Sequence, residues 1–422
     1  MKTLVIIIVF FPCLLFGQND WTLQNCIDSA LVNNPEMQLS EIDFSIATLN
    51  VKSNQWSFLP SVNGAASHGY NWGQTIDPFT NSFATDQVRY NNFYLSSSLT
   101  LFSGLQNYYE KKIVGIDQAI ILANKEIEKR NLTIEILGAY LQAKLNEEIV
   151  SLKSKHLSFT KAQVKRAKLL EDLEYDTKRN RLESEAQETN DQYELVQSQN
   201  DLKKSLFLLQ LLIGITPDAT FSLTDSISLI NSVTVDETQL NVLRAEKNLL
   251  LAKQIKGSFS PTITVNGSIG SGYSENNKFT SPDGSFIPKP FGDQINENFY
   301  QSVYATLSVP IFNGVATYSQ IEINKQEFER IRVENEKRSA ELTNTKLENK
   351  LEVDNQKIAL KFAQASFKSY QLLFEDASLQ YDNGAIDYYQ YLQNKDAFFK
   401  AESELIQAEY RLKFAEIVSS IF

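Results

Sequence analysis

Apolar side chains recur at steps of seven and four residues in two long stretches of the chain. In the first stretch they are Ile127, Ile134, Leu141, Leu145, Leu152 and Phe159, and in the second they are Leu392, Phe399, Ile406, Tyr410, Ile417 and Ile421. This spacing is typical of coiled-coil helices. No proline lies between Phe79 and Thr216 or after Pro310. The pattern therefore predicts long helices, and one over residues 105–170 would be about 100 Å long.

Four shorter segments alternate apolar with small polar residues, which is the period of a β-strand. They lie at about 61–72, 92–101, 262–273 and 302–309. In the second segment, for example, the apolar row is Phe93, Leu95, Leu99 and Leu101. Such segments suit a membrane β-barrel with a wet interior, and they also suit half-buried hairpins in a soluble sheet. Alternation alone favours the soluble sheet.

Geometry changes that balance in favour of a barrel made by several copies of the chain. About eight strands give a barrel whose interior is just filled by side chains, so four strands cannot surround water. An open sheet edge cannot lie in lipid. Three copies would supply about twelve strands, an even number within the range known for such barrels. The long helices would continue the wall as a tube.

The second half of the chain repeats the first half. Phe102-Ser103-Gly104 returns as Phe312-Asn313-Gly314 at an offset of 210 residues, whereas Pro60 and Pro261 are related by an offset of 201. The difference places a nine-residue insertion between Pro261 and Phe312, where glycine and proline are frequent. This composition predicts a surface loop. A duplicated unit of this length predicts one architecture built twice.

These patterns divide the chain into four parts. Residues 1–17 are a predicted secretory signal peptide, with a positive start and an apolar run too short for a transmembrane helix. Residues 18–215 form the first repeat, with a half-length helix, a β-hairpin at about 61–102, a long helix at about 105–170 and a half-length helix at about 177–213. Residues 216–234 are a linker. Residues 235–422 form the second repeat, with a helix, a hairpin at about 262–311, a long helix at about 315–380 and a final helix at about 386–421.

Composition points away from catalysis and from nucleic acid. The net charge is −11, which disfavours a polyanionic partner. After the signal peptide one cysteine remains, Cys26, and the two histidines, His68 and His156, are far apart. No metal-binding cluster, nucleophile elbow or phosphate-binding loop is present, so we expect no cofactor, no metal and no enzyme activity. Cys13 is a weak lipidation candidate because it lies within the apolar run.

Several segments in a fixed order resemble the TolC family of outer-membrane efflux proteins, over essentially the whole mature chain. The opening segment contains Leu23, Ala30-Leu31 and Asn34-Pro35-Glu36. The helix-to-strand step Phe58-Leu59-Pro60-Ser61-Val62 is echoed by Phe259-Ser260-Pro261-Thr262-Ile263. The strand exit at Leu99 to Gly104 is repeated at Val309 to Gly314. The first repeat ends in Leu211-Leu212-Ile213-Gly214, and Tyr381, Gly384, Gln390 and Leu392 lead into the final helix.

The resemblance implies a fold that is mainly α with a four-stranded β contribution. It implies a homotrimer with a twelve-stranded barrel in the outer-membrane lipid of a Gram-negative bacterium, above a periplasmic helical tunnel. Helices at about 21–56 and 235–256 would climb to the strands. The implied partners are a periplasmic adaptor protein and an inner-membrane pump of RND or ABC type. Substrates would pass outward without chemical change.

The resemblance also implies two turns at the periplasmic end. Gly384, the only glycine after Val315, and its neighbours Ala385 and Ile386 match the family's adaptor-docking tip, although a simple helix cap would also explain the glycine. The equivalent first-repeat turn contains Glu174, Tyr175 and Asp176 instead of a glycine. Its acidic residues are explained equally by a solvated turn.

The family's closed pores carry aspartates six and nine residues after the tip glycine. Here these gate positions are the uncharged Gln390 and Gln393, while Tyr381 matches a tyrosine that links the constriction. Asp387 lies close by and is a candidate substitute for the missing carboxylates. We therefore predict a closed state that depends less on cations than an aspartate ring would.

A different class of function is a secreted periplasmic scaffold or adaptor that never enters a membrane. It would account for the helices and the acidity, but not for four alternating strands with one apolar face. A scaffold would fractionate with the soluble periplasm, whereas a barrel requires detergent.

Overall fold

The structure is a computed structural model of the protein. It describes residues 21–77, 79–81, 83–84, 87–174, 178–218, 220–224 and 237–421. The predicted signal peptide, with Cys13, lies outside these residues, as do Tyr175, Asp176 and part of the predicted linker. The helices are α1 (Leu23–Asn33), α2 (Pro35–Trp56), α3 (Gln106–Asp172), α4 (Lys178–Leu212), α5 (Glu237–Gly257), α6 (Phe291–Glu297), α7 (Ala316–Asp382) and α8 (Tyr388–Ile421). The strands are β1 (Ser61–Asn71), β2 (Thr75–Ile76), β3 (Phe83–Ala84), β4 (Val88–Ser103), β5 (Thr262–Ser274), β6 (Lys278–Thr280), β7 (Phe286–Pro288) and β8 (Tyr300–Ser308).

The predicted helix-rich fold with four main strands is confirmed. The long helices α3 and α7 contain 67 residues each, and each is followed by a helix of about half that length. Among the described helices, none combines the length and the apolar character that a membrane span would require.

The helix expected over residues 21–56 is divided in two. Asn34 separates α1 from α2 with an extended backbone at ψ 128°, because the ring of Pro35 disfavours a helical conformation in the residue before it. The Asn34 side chain accepts a hydrogen bond from the Glu36 amide at 2.8 Å and donates one to the Leu212 carbonyl at 2.8 Å. The break therefore starts α2 and also ties it to the end of α4.

The four main strands form one antiparallel sheet in the order β1-β4-β5-β8. Residues that are opposite in register lie on the same face, so the pairing tests the predicted rows. Leu99 lies opposite Val265, which lies opposite Ala305. Ser98, Asn266 and Tyr304 are aligned in the same way on the other face. The sheet thus has one apolar and one mainly polar face, as the alternation predicted.

One residue departs from its predicted row. Leu101 was expected on the apolar face, but the β4–β5 register shifts between Thr100 and Phe102, so that Phe102 lies opposite Ile263. This shift is a β-bulge, in which one extra residue on a strand has no partner. Sequence alternation cannot reveal it, because Leu101 and Phe102 are both apolar.

The duplicated Phe-x-Gly segment forms the same corner in both repeats. Gly104 and Leu105 have φ values of 62° and 63°, and Gly314 and Val315 have 64° and 67°. Two consecutive left-handed residues are unusual, above all when one is β-branched. A Cβ on Gly104 would also lie 2.1 Å from the Gly257 carbonyl oxygen. The left-handed conformation explains the glycine before each long helix, and the close approach is a second reason at Gly104, because a Cβ on Gly314 would meet no atom within 4 Å.

The chain forms two compact units. Unit 1 comprises the described residues of Met1–Ile42, Ala123–Glu237 and Lys337–Phe422, and unit 2 comprises those of Asp43–Leu122 and Thr238–Glu336. Unit 2 contains the main sheet. Its predicted insertion is partly folded, since α6 packs on β5 and the Gln294 side chain exchanges hydrogen bonds of 3.0 Å with the Ser274 backbone.

The main core of unit 1 gathers α1, the end of α4, the end of α8 and the middle of α3. Tyr140, fully buried at its centre, donates its hydroxyl to the Thr224 carbonyl at 2.7 Å and lies 3.2 Å from the Trp21 carbonyl. Trp21 in turn forms a parallel bridge with Leu223. The start of the described chain and the segment after α4 are therefore fixed to α3 at one point.

Cys26 lies in this core with no exposed surface, and burial raises the pKa of its thiol to about 12. Because the thiolate is the reactive form, we expect no labelling of the folded protein by a maleimide at mildly alkaline pH. Mass spectrometry before and after denaturation checks this. Rapid labelling of the folded protein would contradict the packing described.

Candidate functional site

The candidate site is the turn between α7 and α8 in unit 1, together with the equivalent turn after α3. Gly384 has a φ of +72°. Its amide donates to the Tyr381 carbonyl at 3.0 Å, and the Ala385 amide donates to the Gln380 carbonyl at 2.8 Å. These two bonds are those of a Schellman cap, which ends a helix through a left-handed residue. Gly384 and Ala385 are exposed and Ile386 is half-buried, so the turn presents its backbone and small side chains to solvent.

The first-repeat turn uses the same backbone conformation without a glycine. Glu174 has a φ of 60°, and its amide donates to the Glu171 carbonyl at 2.9 Å. Its neighbours Tyr175 and Asp176 lie outside the described residues. The 210-residue offset therefore matches two turns of similar geometry, although one of them carries an exposed carboxylate.

Glu174 adopts a conformation that costs an L-residue roughly 1–2 kcal/mol. Because glycine avoids this cost but loses more backbone entropy on folding, we expect Glu174→Gly to raise the free energy of unfolding by up to about 1 kcal/mol. Thermal denaturation in detergent measures the change. The matched control is Gly384→Glu, which introduces the same strain into the other turn and should lower stability by a similar amount. A stability loss in Glu174→Gly would contradict this account.

The four gate candidates occupy different environments. Asp387 is exposed, and its Oδ1 accepts a hydrogen bond from the Gln390 amide at 2.8 Å, so it is the N-cap of α8. This cap role explains the residue without a gate. Gln390 and Gln393 are exposed on the first turns of α8. Tyr381 is half-buried near the end of α7.

Tyr381 belongs to an aromatic and charged group that links three helices. Its ring is stacked on Tyr391 of α8 with centroids 4.8 Å apart, and the Arg166 guanidinium of α3 lies 5.6 Å from its centroid. Arg166 also forms an ion pair with Asp382, the last residue of α7. The end of α7 is thereby attached to both α3 and α8.

Tyr388 and Tyr391 are buried beneath Tyr381, whereas Tyr389 is 63% exposed. Burial raises the pKa of both buried phenols above the usual range, and a hydrogen bond from Ser184 partly opposes this for Tyr388. Both side chains are therefore neutral packing groups at physiological pH. The sequence predicted Tyr381 but missed Arg166 and Asp382, because nothing local relates two residues 216 positions apart.

Comparison with known proteins gives the fold and a family match over part of the chain. No curated protein matches the chain. Among solved structures, CusC aligns with a TM-score of 0.77 at 15% identity, over 96% of this chain and 91% of its own. VceC of Vibrio cholerae aligns with a TM-score of 0.77 at 13% identity, over 94% of this chain and 96% of its own. The CmeC outer membrane channel of Campylobacter jejuni aligns with a TM-score of 0.75 at 14% identity, over 94% of this chain and 85% of its own. These likenesses show the fold.

A family resemblance is found in the sequence itself. Residues 229–417 match the family model for outer membrane efflux proteins. The predicted resemblance and the predicted outer-membrane location are thus confirmed, and the soluble scaffold is not favoured. The matched family is one of transport channels, and the match covers most of the second repeat of this chain.

Proposed function

We propose that this chain is an outer-membrane efflux channel in which three copies form one pore, and that the pore receives substrates from a periplasmic adaptor and an inner-membrane pump of RND or ABC type. The observation that carries the proposal is the four-stranded sheet of unit 2, with one apolar face and one mainly polar face. Its edge strands β1 and β8 each pair on one side only among the described strands. In lipid an unpaired edge is prohibitively costly.

If the sheets of several copies pair edge to edge into a closed barrel, the backbone hydrogen-bonding groups of both edge strands find partners. Each copy would place its β8 beside β1 of the next copy, and three copies give about twelve strands. The polar face would line the interior and the apolar face would contact lipid. Every residue of β8 and most residues of β1 are exposed, which leaves these strands free to pair.

The long helix α7 supports the same arrangement. Most of its 67 residues are exposed, although apolar side chains recur along it. Exposed members are Leu347, Leu351, Ile358, Phe362, Leu372 and Leu379. Spacings of four and seven residues are those of a helix that packs against another helix. Neighbouring copies would cover this stripe and complete the tunnel wall.

The turns of the candidate site would then form the periplasmic end of the channel. The exposed Gly384 turn, with Ala385 and Ile386, is the proposed docking surface for the adaptor. The Glu174 turn with Tyr175 and Asp176 is its partner in the first repeat. Gln390, Gln393 and Tyr381 are the proposed gate residues, and Asp387 contributes by capping α8. The link of Arg166 to Tyr381 and Asp382 holds this end in the conformation described.

Disulfide cross-linking between copies tests the proposal. Cysteine at Tyr304 of β8 is combined in turn with cysteine at Asn63, Ala65 or Ser67 of β1, all on the mainly polar face. At least one pair should give covalent trimers on a denaturing gel, because cross-strand Cβ atoms are about 5 Å apart. The matched control pairs Tyr304 with Val62 or Gly64, which lie on the other face. Cys26 is buried and should not interfere, because we expect it to be alkylated only after denaturation. Uniformly monomeric material that stays soluble without detergent would refute the proposal.

A further inference from the structure

A cluster of buried polar side chains lies between α3, α4 and α8. It consists of His156 and Thr160 of α3, Asp191 of α4 and Lys395 of α8, none of which is more than 5% exposed. Thr160 donates its hydroxyl to Asp191 Oδ2 at 2.5 Å, and Gln187 donates to the other carboxylate oxygen at 2.8 Å. We call these four residues the buried polar cluster.

Lys395 is poorly satisfied in this environment. Its ammonium donates to Thr160 Oγ1 at 3.1 Å, but the nearest carboxylate oxygens of Asp191 and Asp396 are 3.9 and 3.7 Å away. Those distances exceed a normal hydrogen bond. An ammonium has three donors, and leaving them unpaired in the interior is costly. Consistent with this, burial lowers the pKa of Lys395 against the opposing effect of both carboxylates.

His156 is a second buried group without a full set of partners. Its ring is stacked on Phe399 of α8 with centroids 4.1 Å apart. Its Nε2 is buried and has no hydrogen-bond partner among the described residues, with Asp191 Oδ2 at 3.6 Å. A buried unpaired polar atom calls for a physical explanation, because native proteins contain few of them. Here the unpaired His156 nitrogen and the Lys395 ammonium, which has a single hydrogen bond to Thr160, meet at one helix-packing surface.

We propose that the buried polar cluster is the joint at which α8 separates from α3 and α4 when the periplasmic end of the channel opens. The inference rests on the proposed channel function and adds positioning residues to it. In the packed state the cluster fixes the position of α8 through directional contacts. When α8 shifts, water reaches the ammonium and the imidazole and supplies the hydrogen bonds that they lack. The cost of opening is lower than it would be for an apolar contact of the same size.

The cluster also gives the joint a pH dependence. The groups that face His156 are Asp191 and Glu194 of α4, Lys395 and Asp396 of α8, and Lys153 of its own helix. Burial first, and then the charge of Lys395, lower the pKa of His156 to about 4. The neutral ring therefore favours the packed state above its unperturbed pKa, and this contribution is lost as pH falls from about 6.5 toward 4. Acidification should promote separation.

Single-channel recording of the full chain in planar bilayers tests the joint. The variant Asp191→Leu with Lys395→Met removes both charges and replaces them with apolar side chains. We expect its open probability to be at least about tenfold lower than that of the wild type, equivalent to about 1.4 kcal/mol. The matched control, Lys400→Met on an exposed part of α8, should behave as the wild type.

Two outcomes would overturn the inference. One is an open probability of the double variant within about twofold of the wild type, in trimers of normal heat stability. The other concerns His156→Phe, which keeps the stack on Phe399. The wild type should open more often as pH is lowered, and this variant should lose most of that response, so an unchanged response would contradict the joint. If the wild type itself forms no channels, the proposed function fails instead.

Discussion

Replacing Lys395 by methionine while Asp191 remains is expected to lower the free energy of unfolding by about 3–5 kcal/mol. Asp191 is 2% exposed, and the change would leave its buried carboxylate without the Lys395 ammonium. Only the neutral hydrogen bonds from Thr160 and Gln187 would remain. Removing one partner of a buried pair is costly for that reason, whereas removing both is often neutral or stabilising. Thermal denaturation of the helical signal in detergent gives the measurement.

The double variant and an exposed lysine provide the controls for this loss. Asp191→Leu combined with Lys395→Met should restore most of the stability, so that the two single losses are far from additive. Lys400, whose side chain is 78% exposed and pairs with Glu404 at 4.0 Å, should change stability by no more than about 0.5 kcal/mol when replaced by methionine. Equal losses of stability on replacing Lys395 and Lys400 would contradict the burial and pairing of Lys395 described for the buried polar cluster.

The second large effect is expected at the gate. Replacing Gln390 and Gln393 by aspartate should create strong block of the channel by divalent cations, with an apparent affinity at least about tenfold higher than that of the wild type. In a trimer these changes place several carboxylates around one axis, where they repel one another and attract cations. Titration of the single-channel current with a divalent cation measures the block.

The control for added charge is Gln371→Asp, an exposed position on α7 that precedes the turn by more than three helical turns. It adds the same charge per site elsewhere on the helix and should leave cation block weak. Strong block of the wild type at submillimolar concentration, abolished by changing Gln390 or Gln393 to alanine, would contradict the view that the amides close the pore without a cation. Equal block in the control would show a general charge effect.

Much of the fold was predictable because it depends on local periodicity. The seven-and-four spacing and the absence of proline predicted α3, α4, α7 and α8. The break at Asn34 was missed, although Pro35 signalled it, because the apolar pattern continues across it. The bulge at Leu101 was not predictable, because Leu101 and Phe102 are both hydrophobic and either of them could continue the apolar row.

The candidate site was predictable only where one residue has a distinctive backbone role. Gly384 signals a turn by its chemistry, and the offset of the repeats led from it to Glu174. The partners of these residues were not predictable. Arg166 meets Asp382, and Lys395 meets Thr160, across 216 and 235 positions of sequence. A single sequence contains no signal that relates charged residues so far apart, and helix packing alone decides which of them meet.

The corners at Gly104-Leu105 and Gly314-Val315 limit how this chain can change in length. At each corner two consecutive residues have a left-handed backbone, and a 67-residue helix begins directly afterwards. Inserting or deleting one residue there would rotate the entire following helix by about 100° about its axis. Every apolar row beyond the corner would then face the wrong neighbour. Length variation should be confined to the loops at the far ends of the strands.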